Sequence, residues 1–290
     1  MDAEAVDHYL SDETRRGEPL PGGFTGSAGG APCGDLVRLS IAVEGGRVAA
    51  VTFDAEGCAT ARASAAALAE EVEGKEVLEA ALVSPEDVAG LLGGVSAQGR
   101  HATELAADAL HRALACAAGS GGELARAGER ERVLVAMSGG VDSAVAAARE
   151  RERGVDVVAV TVKLWTDQRT DAAKSCCSPL AVLGARGVAH SLGIPHFTLD
   201  LESVFRERVV GAFIDGYRAG ETPNPCVLCN GDVRIDAMIA LADRLGCVYL
   251  ATGHYARIAD DGEGPLLAAA ADPAKDQTYM LSGLRTSSLA

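Results

Sequence analysis

The chain has 290 residues, of which 48% are hydrophobic and 23% charged, a composition typical of globular proteins large enough for two domains. Its formal net charge of −15 argues against a nucleic-acid partner that is bound through an overall positive charge of the protein. The apolar runs are shorter than a membrane span, and the N-terminus MDAEAVDHYL lacks a basic and apolar leader. We therefore expect a cytoplasmic protein without membrane contact.

The acidity is concentrated in the first part of the chain. Residues 1–132 carry 22 acidic and 11 basic side chains, a net charge of −11, whereas residues 133–290 carry 19 and 15, a net charge of −4. The second part is close to neutral, which neither supports nor excludes binding to RNA. Eight cysteines in a reducing compartment indicate metal or sulfur chemistry rather than disulfides.

Residues 1–31 predict a short helix followed by a flexible, glycine-rich lead-in. Alternating segments at 36–43 and 48–53, joined by Gly45 and Gly46, predict a β-hairpin. A small antiparallel sheet followed by helices indicates an α+β domain over residues 1–118. Its later helices are predicted over residues 59–73, 85 to about 92, and 101–117.

The sequences Ala31–Asp35 and Glu56–Cys58, on either side of this hairpin, resemble the iron–sulfur cluster assembly scaffold family of the NifU/IscU type. The resemblance covers about residues 20–118. It implies a zinc or iron–sulfur site, and Ala102 stands where the third family cysteine is expected. The remaining candidates could hold tetrahedral Zn²⁺, or the cysteines could be small buried apolar groups. The implied ligands are Cys33, Asp35, Cys58 and His101.

After a glycine-rich and charged linker at 119–132, the chain predicts a strand–turn–helix–strand unit. The strands are Val133–Met137 and Val155–Val162, and the helix runs from about Ala144 to Arg153. The Ser-Gly-Gly turn between them directs backbone N–H groups, two hydroxyls and a helix N-terminus at one spot. Such a spot attracts phosphate.

The hexapeptide SGGVDS in this turn differs from the Walker and dinucleotide loops and resembles the PP-loop of ATP pyrophosphatases, which cleave ATP between its α and β phosphates. The resemblance implies that Gly139 and Gly140 let the backbone approach the pyrophosphate. Ser138 and Ser143 donate hydroxyl groups, and Asp142 helps to position Mg²⁺. Without the resemblance, the turn reads as a tight strand–helix connection with a serine cap.

Further motifs follow the tRNA-specific 2-thiouridylase family in order, from residue 133 almost to the end of the chain. They are Val160–Trp165, Ser175–Ser178, Ala189–Pro195, Gly220–Asn230, Ala251–Arg257 and Lys275–Leu281. The resemblance implies an α/β fold of the adenine nucleotide alpha hydrolase type over residues 133–290, with a parallel sheet and a site at its carboxyl edge. It also implies ATP-dependent 2-thiolation of the wobble uridine of tRNA through an adenylated base.

The family's functional positions can be carried over to this sequence. ATP is implied to contact residues 136–143 (Ala136, Met137, Ser138, Gly139, Gly140, Val141, Asp142 and Ser143), with Val162 and Gly253 bordering the adenosine. The anticodon stem-loop is implied to contact Asn224, Pro225 and Cys226, together with Lys275, Asp276 and Gln277. Cys229 matches the family's nucleophile. His254 either touches the base or RNA backbone or is a structural histidine.

The segment TPNPCVLCN also has a physical reading of its own. Its prolines stiffen a loop, and Cys226 and Cys229 enter a helix start where the dipole favours thiolate. A CxxC pair can equally hold zinc or an iron–sulfur cluster. Cys226 replaces an aspartate found in many family members, which favours the cluster-binding version. Cys176 and Cys177 either approach this site or pack beneath a helix.

In the family the chain continues beyond the Lys275–Gln277 motif, into a region that carries a second catalytic cysteine. The resemblance therefore implies that this sequence is a fragment, that another chain supplies the remainder, or that the sulfur-transfer half is absent. The partners it implies are tRNA and a sulfur donor such as a cysteine desulfurase or a relay protein. Two alternatives are a PP-loop ligase acting on a small molecule and a non-enzymatic iron–sulfur or zinc carrier.

Overall fold

The computed structural model describes residues 2–30, 34–164 and 179–290, and the chain divides into two compact units. The first unit comprises Met1–Arg126 and Gly193–Thr198, and the second comprises Ala127–Leu192 and Leu199–Ala290. Within the described ranges, no helix combines the length and apolar character needed to cross a membrane. The predicted domain boundaries, with a first domain ending at residue 118 and a second beginning at residue 133, stay a prediction.

The first unit is built on a three-stranded antiparallel sheet with helices packed against it. Its strands are β1 (Phe24–Gly29), β2 (Leu36–Glu44) and β3 (Arg47–Glu56), in the order β1-β2-β3. The predicted α+β architecture is confirmed. The helices are α1 (Ala3–Ser11), α2 (Ala59–Val72), α3 (Val77–Ala80), α4 (Pro85–Leu91) and α5 (Arg100–Gly119).

Local sequence explains the hairpin and one helix start of this unit. Glu44 pairs with Arg47, so Gly45 and Gly46 form a two-residue turn, and both have positive φ angles, of 57° and 79°. That is the geometry of a type I′ turn, which matches the twist of the adjoining strands. At α4, Ser84 and Asp87 form a capping box around Pro85, which occupies a favoured first position.

The expectation of a flexible lead-in through residue 31 is wrong for residues 24–29. These residues form β1, which pairs with β2 from Phe24 opposite Ile41 to Gly29 opposite Leu36. The glycines misled the interpretation because one of them serves packing rather than flexibility. A side chain at Gly26 would overlap the backbone carbonyl oxygen of Ala109 on α5, so only glycine allows α5 to lie so close to the strand.

A second sheet has the strand order β6-β5-β4-β7, and β4 pairs in parallel with both of its neighbours. Its strands belong to the second unit, apart from residues 196–198 of β6. This order is typical of doubly wound folds. Strands β5 and β6 are added on one side of β4, and β7 is added on the other side, so a topological switch point lies between β4 and β7. Ligands bind at such switch points. The predicted α/β fold is confirmed. The elements are β4 (Arg132–Ala136), α6 (Val141–Glu152), β5 (Asp156–Lys163), α7 (Pro179–Ser191), β6 (His196–Asp200) and β7 (Tyr249–Thr252).

Two longer helical segments of this unit each contain a π-helical stretch. The first runs through α8 (Glu202–Phe205), π-helical Arg206–Val210 and α9 (Gly211–Arg218). The second runs through α10 (Pro225–Leu228), π-helical Cys229–Arg234 and α11 (Ile235–Arg244). A hairpin of β8 (Arg257–Asp260) and β9 (Pro265–Ala268) follows, then short 3₁₀ turns at Pro273–Lys275, Thr278–Leu281 and Thr286–Ser288.

Candidate nucleotide and thiol site

The loop between β4 and α6 is closed by its own serines. The Ser143 hydroxyl donates to the Gly140 carbonyl oxygen at 2.9 Å and accepts from the Ser138 N–H at 3.2 Å. The Ser138 hydroxyl lies 3.3 Å from that of Ser143 and accepts from the Gly140 N–H at 3.4 Å. Gly140, the residue directly before α6, has no side chain that could cap the first turn. The positive end of α6 is therefore bordered by hydroxyls, by backbone and by the Asp142 carboxylate of its own first turn.

Two glycines allow other backbone segments to pack closely around this loop. Gly139 has a φ of 77°, and an added Cβ would lie 3.1 Å from the Ala181 carbonyl oxygen. At Gly253 an added Cβ would lie 2.9 Å from the Ser143 nitrogen and 3.1 Å from the Asp142 carbonyl carbon. Gly253 thus lies directly against the first turn of α6, because it carries no side chain.

The parallel register brings the sequence-predicted nucleotide residues to one edge of the sheet. Ala136, the last residue of β4, is opposite Val160 on β5 and Thr252 on β7. Val162 and Gly253 therefore follow at the carboxyl ends of the neighbouring strands, on either side of the serine loop. Their individual roles stay predictions. An uncapped helix start with two hydroxyls at a switch point fits the triphosphate of ATP.

The cysteine pair lies at the beginning of the second long helical segment. Asn224 caps α10 by accepting the Cys226 N–H through Oδ1 at 3.0 Å, and Pro225 occupies the first turn. Cys226 is exposed, whereas Cys229 is buried and begins the π-helical stretch. π-Helical turns are rare and occur frequently at functional sites. Cys176 and Cys177 lie outside the described residues.

The π-helical stretch packs against the 3₁₀ turn near the end of the chain. Asn230 is buried, and its Nδ2 donates to the Met280 carbonyl oxygen at 3.3 Å. Gly231 permits close approach, since an added Cβ would lie 2.9 Å from the Gly283 carbonyl oxygen. These contacts hold the helix that bears Cys229 against residues 280–283.

The surroundings of His254 favour the neutral form of its imidazole. Its Nδ1 lies 2.9 Å from the Thr252 hydroxyl, and burial, followed by the positive charge of Arg234, lowers the pKa of His254 below its ordinary value. A neutral ring suits a hydrogen bond to a base better than an ion pair with a phosphate. Arg234 itself donates to Asn230 Oδ1 at 3.4 Å, and the described residues offer its buried Nε no hydrogen-bond partner.

The predicted tRNA segment Lys275–Gln277 combines one exposed side chain with two that organise the loop. Asp276 accepts the Thr278 hydroxyl at 2.6 Å and the Ala270 N–H at 2.7 Å, and these bonds lower its pKa. Gln277 Oε1 accepts the Tyr255 N–H at 2.9 Å. Lys275 is exposed. A contact of this segment with tRNA stays a prediction.

In the first unit the structure brings two of the predicted metal ligands together. The Cys58 N–H donates to Asp35 Oδ1 at 2.8 Å, and the Cys58 thiol donates to Asp35 Oδ2 at 3.4 Å. His101 lies in the first turn of α5, and Cys33 falls outside the described residues. Over 2–30, 34–164 and 179–290, no three His, Cys, Asp or Glu side chains are grouped closely enough to hold a metal ion. The four-ligand site stays a prediction.

Comparison with known families bears on both units. Residues 131–290 match the model of the tRNA methyl transferase HUP domain. The chain belongs to this family. Residues 3–118 match the NifU-like N terminal domain, so the resemblance of the first part to the scaffold family and that of the second part to the thiouridylase family are confirmed.

Three curated relatives illustrate the match to this family. The chain is 48% identical to the bifunctional protein NifU/MnmA of Rubrobacter xylanophilus, over 95% of this chain and 58% of that protein. It is 49% identical to the tRNA-specific 2-thiouridylase MnmA of Sorangium cellulosum, over 57% of this chain and 44% of that protein. It is 47% identical to the protein of the same name from Deinococcus radiodurans, over 54% of this chain and 42% of that protein. The chain thus spans about half the length of these relatives.

Sequence reasoning did not single out Tyr255, although it lies within a quoted motif. Its hydroxyl donates to Asp142 Oδ1 at 2.8 Å, across 113 residues of sequence. It also missed Arg234 and the packing of Asn230 on Met280. Local spacing gives no signal for such pairs, because they are created by the way β7 and the following loop meet α6 and α10.

Proposed function

We propose that this chain carries out the ATP-dependent activation of a tRNA wobble uridine for 2-thiolation. The observation that carries the proposal is the serine loop at the uncapped start of α6, with Gly253 directly against its first turn. The same unit presents the cysteine pair at the start of α10. An anion site and a thiol pair together suit phosphate chemistry followed by sulfur transfer.

ATP would be held by residues 136–143, with its phosphates on the N–H groups of the loop and of the first turn of α6. The hydroxyls of Ser138 and Ser143 are close enough to the same spot to contribute. Asp142 would hold Mg²⁺, because a carboxylate in the first turn of α6 is an oxygen ligand of the kind Mg²⁺ prefers. Bound Mg²⁺ supplies charge neutralisation on the phosphates.

In the proposed reaction the 2-oxygen of uridine attacks the α-phosphorus of ATP, and the bond to the β-phosphate oxygen breaks, so pyrophosphate leaves. The outer sulfur of a persulfide on Cys229 then attacks C2, and the C2–oxygen bond breaks to release AMP. The Cys226 thiol next attacks Cys229 Sγ, so the S–S bond breaks, 2-thiouridine leaves and a disulfide between Cys226 and Cys229 forms. The target base must leave the stacked anticodon loop, as single-stranded bases can. His254, being neutral, is suited to hydrogen-bond the base.

Cys229 is the proposed nucleophile of the sulfur step. It lies at the junction of α10 and the π-helical stretch, one helical turn after Cys226. Sulfur would arrive as a cysteine persulfide from a desulfurase or a relay protein, and sulfide on an iron–sulfur cluster is the alternative source. Because the chain covers about half of its relatives, the complete activity is part of the proposal.

The pair Asp35 and Cys58 favours a second function for the first unit, namely binding of zinc or of sulfur-bearing iron. A thiol beside a carboxylate at the start of a helix offers two ligands of different hardness. Two ligands do not complete a site. Metal analysis of the isolated chain, with Cys58→Ser as the comparison, tests this second function.

The main proposal is tested by single-turnover reaction of the chain with ATP and unmodified tRNA, after anaerobic incubation with a sulfur source. We compare the unaltered chain with Cys229→Ser. Cys229→Ser should still release pyrophosphate in a tRNA-dependent manner but form no 2-thiouridine. The matched control is Cys247→Ser in the same unit, where burial raises the pKa of the thiol to about 12 and makes it a poor nucleophile.

Thiolation by Cys229→Ser at the unaltered rate would contradict the assignment of Cys229. Pyrophosphate release without thiolation by the unaltered chain would place the sulfur step on another polypeptide segment. Pyrophosphate release stimulated by a small molecule and not by tRNA would favour a small-molecule ligase.

A further inference from the structure

Tyr255 connects the nucleotide loop to the segment that is expected to contact tRNA. Its hydroxyl donates to Asp142 Oδ1 at 2.8 Å, and Asp142 lies in the first turn of α6. The Tyr255 ring itself is partly exposed. The interaction is a hydrogen bond from a neutral phenol to a carboxylate.

The backbone of Tyr255 is fixed from the other side by Gln277. The Tyr255 N–H donates to Gln277 Oε1 at 2.9 Å, and the Gln277 N–H donates to the Tyr255 carbonyl oxygen at 3.0 Å. Two reciprocal bonds leave little freedom between these residues. A displacement of residues 275–277 would consequently move the tyrosine ring and with it the hydrogen bond to Asp142.

The bond leaves Asp142 with an oxygen for a cation. Tyr255 occupies Oδ1, and Oδ2 has no hydrogen-bond partner among residues 2–30, 34–164 and 179–290. Carboxylates that bind metal ions are themselves oriented by hydrogen bonds, and loss of such a bond typically lowers metal affinity about 10–100-fold. Tyr255 is placed to provide this orientation.

We propose that Tyr255 is a positioning residue, which orients the Asp142 carboxylate for the Mg²⁺ of MgATP and links this orientation to the Lys275–Gln277 loop. The inference rests on the proposed function, since it takes the serine loop to be the ATP site. It adds a physical connection between the nucleotide and the RNA-contacting segment. In this arrangement, occupancy of one segment alters affinity at the other.

The chain contains a matched control at the opposite end of the same helix. The Tyr249 hydroxyl donates to Glu150 Oε2 at 2.8 Å, and Glu150 lies in the last turn of α6. Both pairs thus join a tyrosine hydroxyl to a carboxylate oxygen at 2.8 Å, and among the described residues only the pair of Tyr249 and Glu150 is also contacted by an arginine, Arg153. The pairs also lie at opposite ends of α6, and only Asp142 lies beside the serine loop.

The test is equilibrium binding of ATP to the full chain by calorimetry, with Mg²⁺ and with EDTA, for the unaltered chain, Tyr255→Phe and Tyr249→Phe. Tyr255→Phe should weaken binding of MgATP about 10-fold and leave binding in EDTA unchanged. Tyr249→Phe should alter neither affinity. Gln277→Leu, which removes the acceptor of the Tyr255 N–H, should reproduce the Mg²⁺-specific loss in part.

Equal MgATP affinity of Tyr255→Phe and the unaltered chain would overturn the inference while leaving the proposed function intact. An equal loss with Mg²⁺ and with EDTA would also overturn it, because a general change of structure would then explain the effect. Failure of the unaltered chain to bind ATP under either condition would contradict the proposed function and the inference together.

The link to RNA is tested by repeating the MgATP titration with an anticodon stem-loop present. The stem-loop should change the MgATP affinity of the unaltered chain and of Tyr249→Phe, but not that of Tyr255→Phe. An equal change in all three proteins would show that the connection does not run through Tyr255.

Discussion

Helices α2 and α6 both begin a few residues after a strand, and their N-termini are completed in opposite ways. At α2, the Cys58 Sγ accepts the Ala61 N–H at 3.4 Å, and the Asp35 carboxylate accepts the Cys58 N–H. At α6, the residue before the helix is glycine, and the nearby hydroxyls of Ser138 and Ser143 bond to the loop and to each other.

The N–H groups at the start of α2 are thus bonded within the chain, whereas those at the start of α6 have no side-chain cap. The first turn of α2 already has a carboxylate beside it, which balances the positive end of the helix dipole. The first turn of α6 carries the Asp142 carboxylate, which accepts the Tyr255 hydroxyl, but no side chain caps the N–H groups of that turn, so an anion from outside can bind them. The three predictions below are ordered from the largest to the smallest expected effect.

Gly253→Ala should disrupt the α6 site most strongly. The new Cβ would lie 2.9 Å from the Ser143 nitrogen, and this backbone atom cannot move without displacing the first turn of the helix. Displacements of about 1 Å at such sites can cost about 100-fold, and we expect a loss of that size in ATP affinity. Calorimetric titration measures it.

The control for this prediction is Gly187→Ala on α7, where an added Cβ meets no atom within 4 Å. It should bind ATP as the unaltered chain does. Unchanged affinity in Gly253→Ala would mean that the approach of β7 to α6 is not needed for the site, and the comparison between the helices would lose its basis.

Cys58→Ala should affect the α2 end, and its effect should be on stability. Loss of an N-cap acceptor costs about 1 kcal/mol, so the free energy of unfolding of the first unit should fall by about that amount. Cys58→Ser supplies a hydroxyl acceptor in the same position and should retain the stability. Denaturant unfolding measures both variants.

ATP affinity provides the second readout for the Cys58 variants, and it should be unchanged in both. A stability of Cys58→Ala equal to that of the unaltered chain would show that the thiol does not act as a cap. The α2 end would then be completed by the Asp35 carboxylate alone.

The smallest expected effect concerns the pKa of His254, which follows β7 near the start of α6. Burial and then Arg234 lower its pKa below the ordinary value of 6.5, so the folded chain favours the neutral ring. The unfolded chain takes up a proton first as pH falls through 6.5, and stability is lost from there down to the folded pKa. Nuclear magnetic resonance titration of the imidazole measures the folded pKa.

Arg234→Met should raise the pKa of His254 but leave it below the ordinary value, because burial is the larger cause. His254→Gln should lose less stability between neutral and mildly acidic pH than the unaltered chain. A folded pKa at or above the ordinary value would show that the ring is hydrated and open to a phosphate partner.

The sequence by itself determined the features that depend on neighbouring residues. Gly45 and Gly46 between alternating segments specify their turn locally, and the serine–glycine run after a buried strand specifies the turn into α6. The start of α10 at Pro225 follows in the same way, because proline and the Asn224 cap act within one helical turn. Each of these required only a few adjacent side chains.

The tertiary structure decided the features that depend on distant residues. Gly26 belongs to a strand because α5 lies against it, and the glycine-rich sequence alone suggests flexibility. The bond from Tyr255 to Asp142 exists because parallel pairing places β7 beside β4, which brings the ends of both strands to the same edge. Such contacts arise from packing between elements, so no local pattern in the chain could have predicted them.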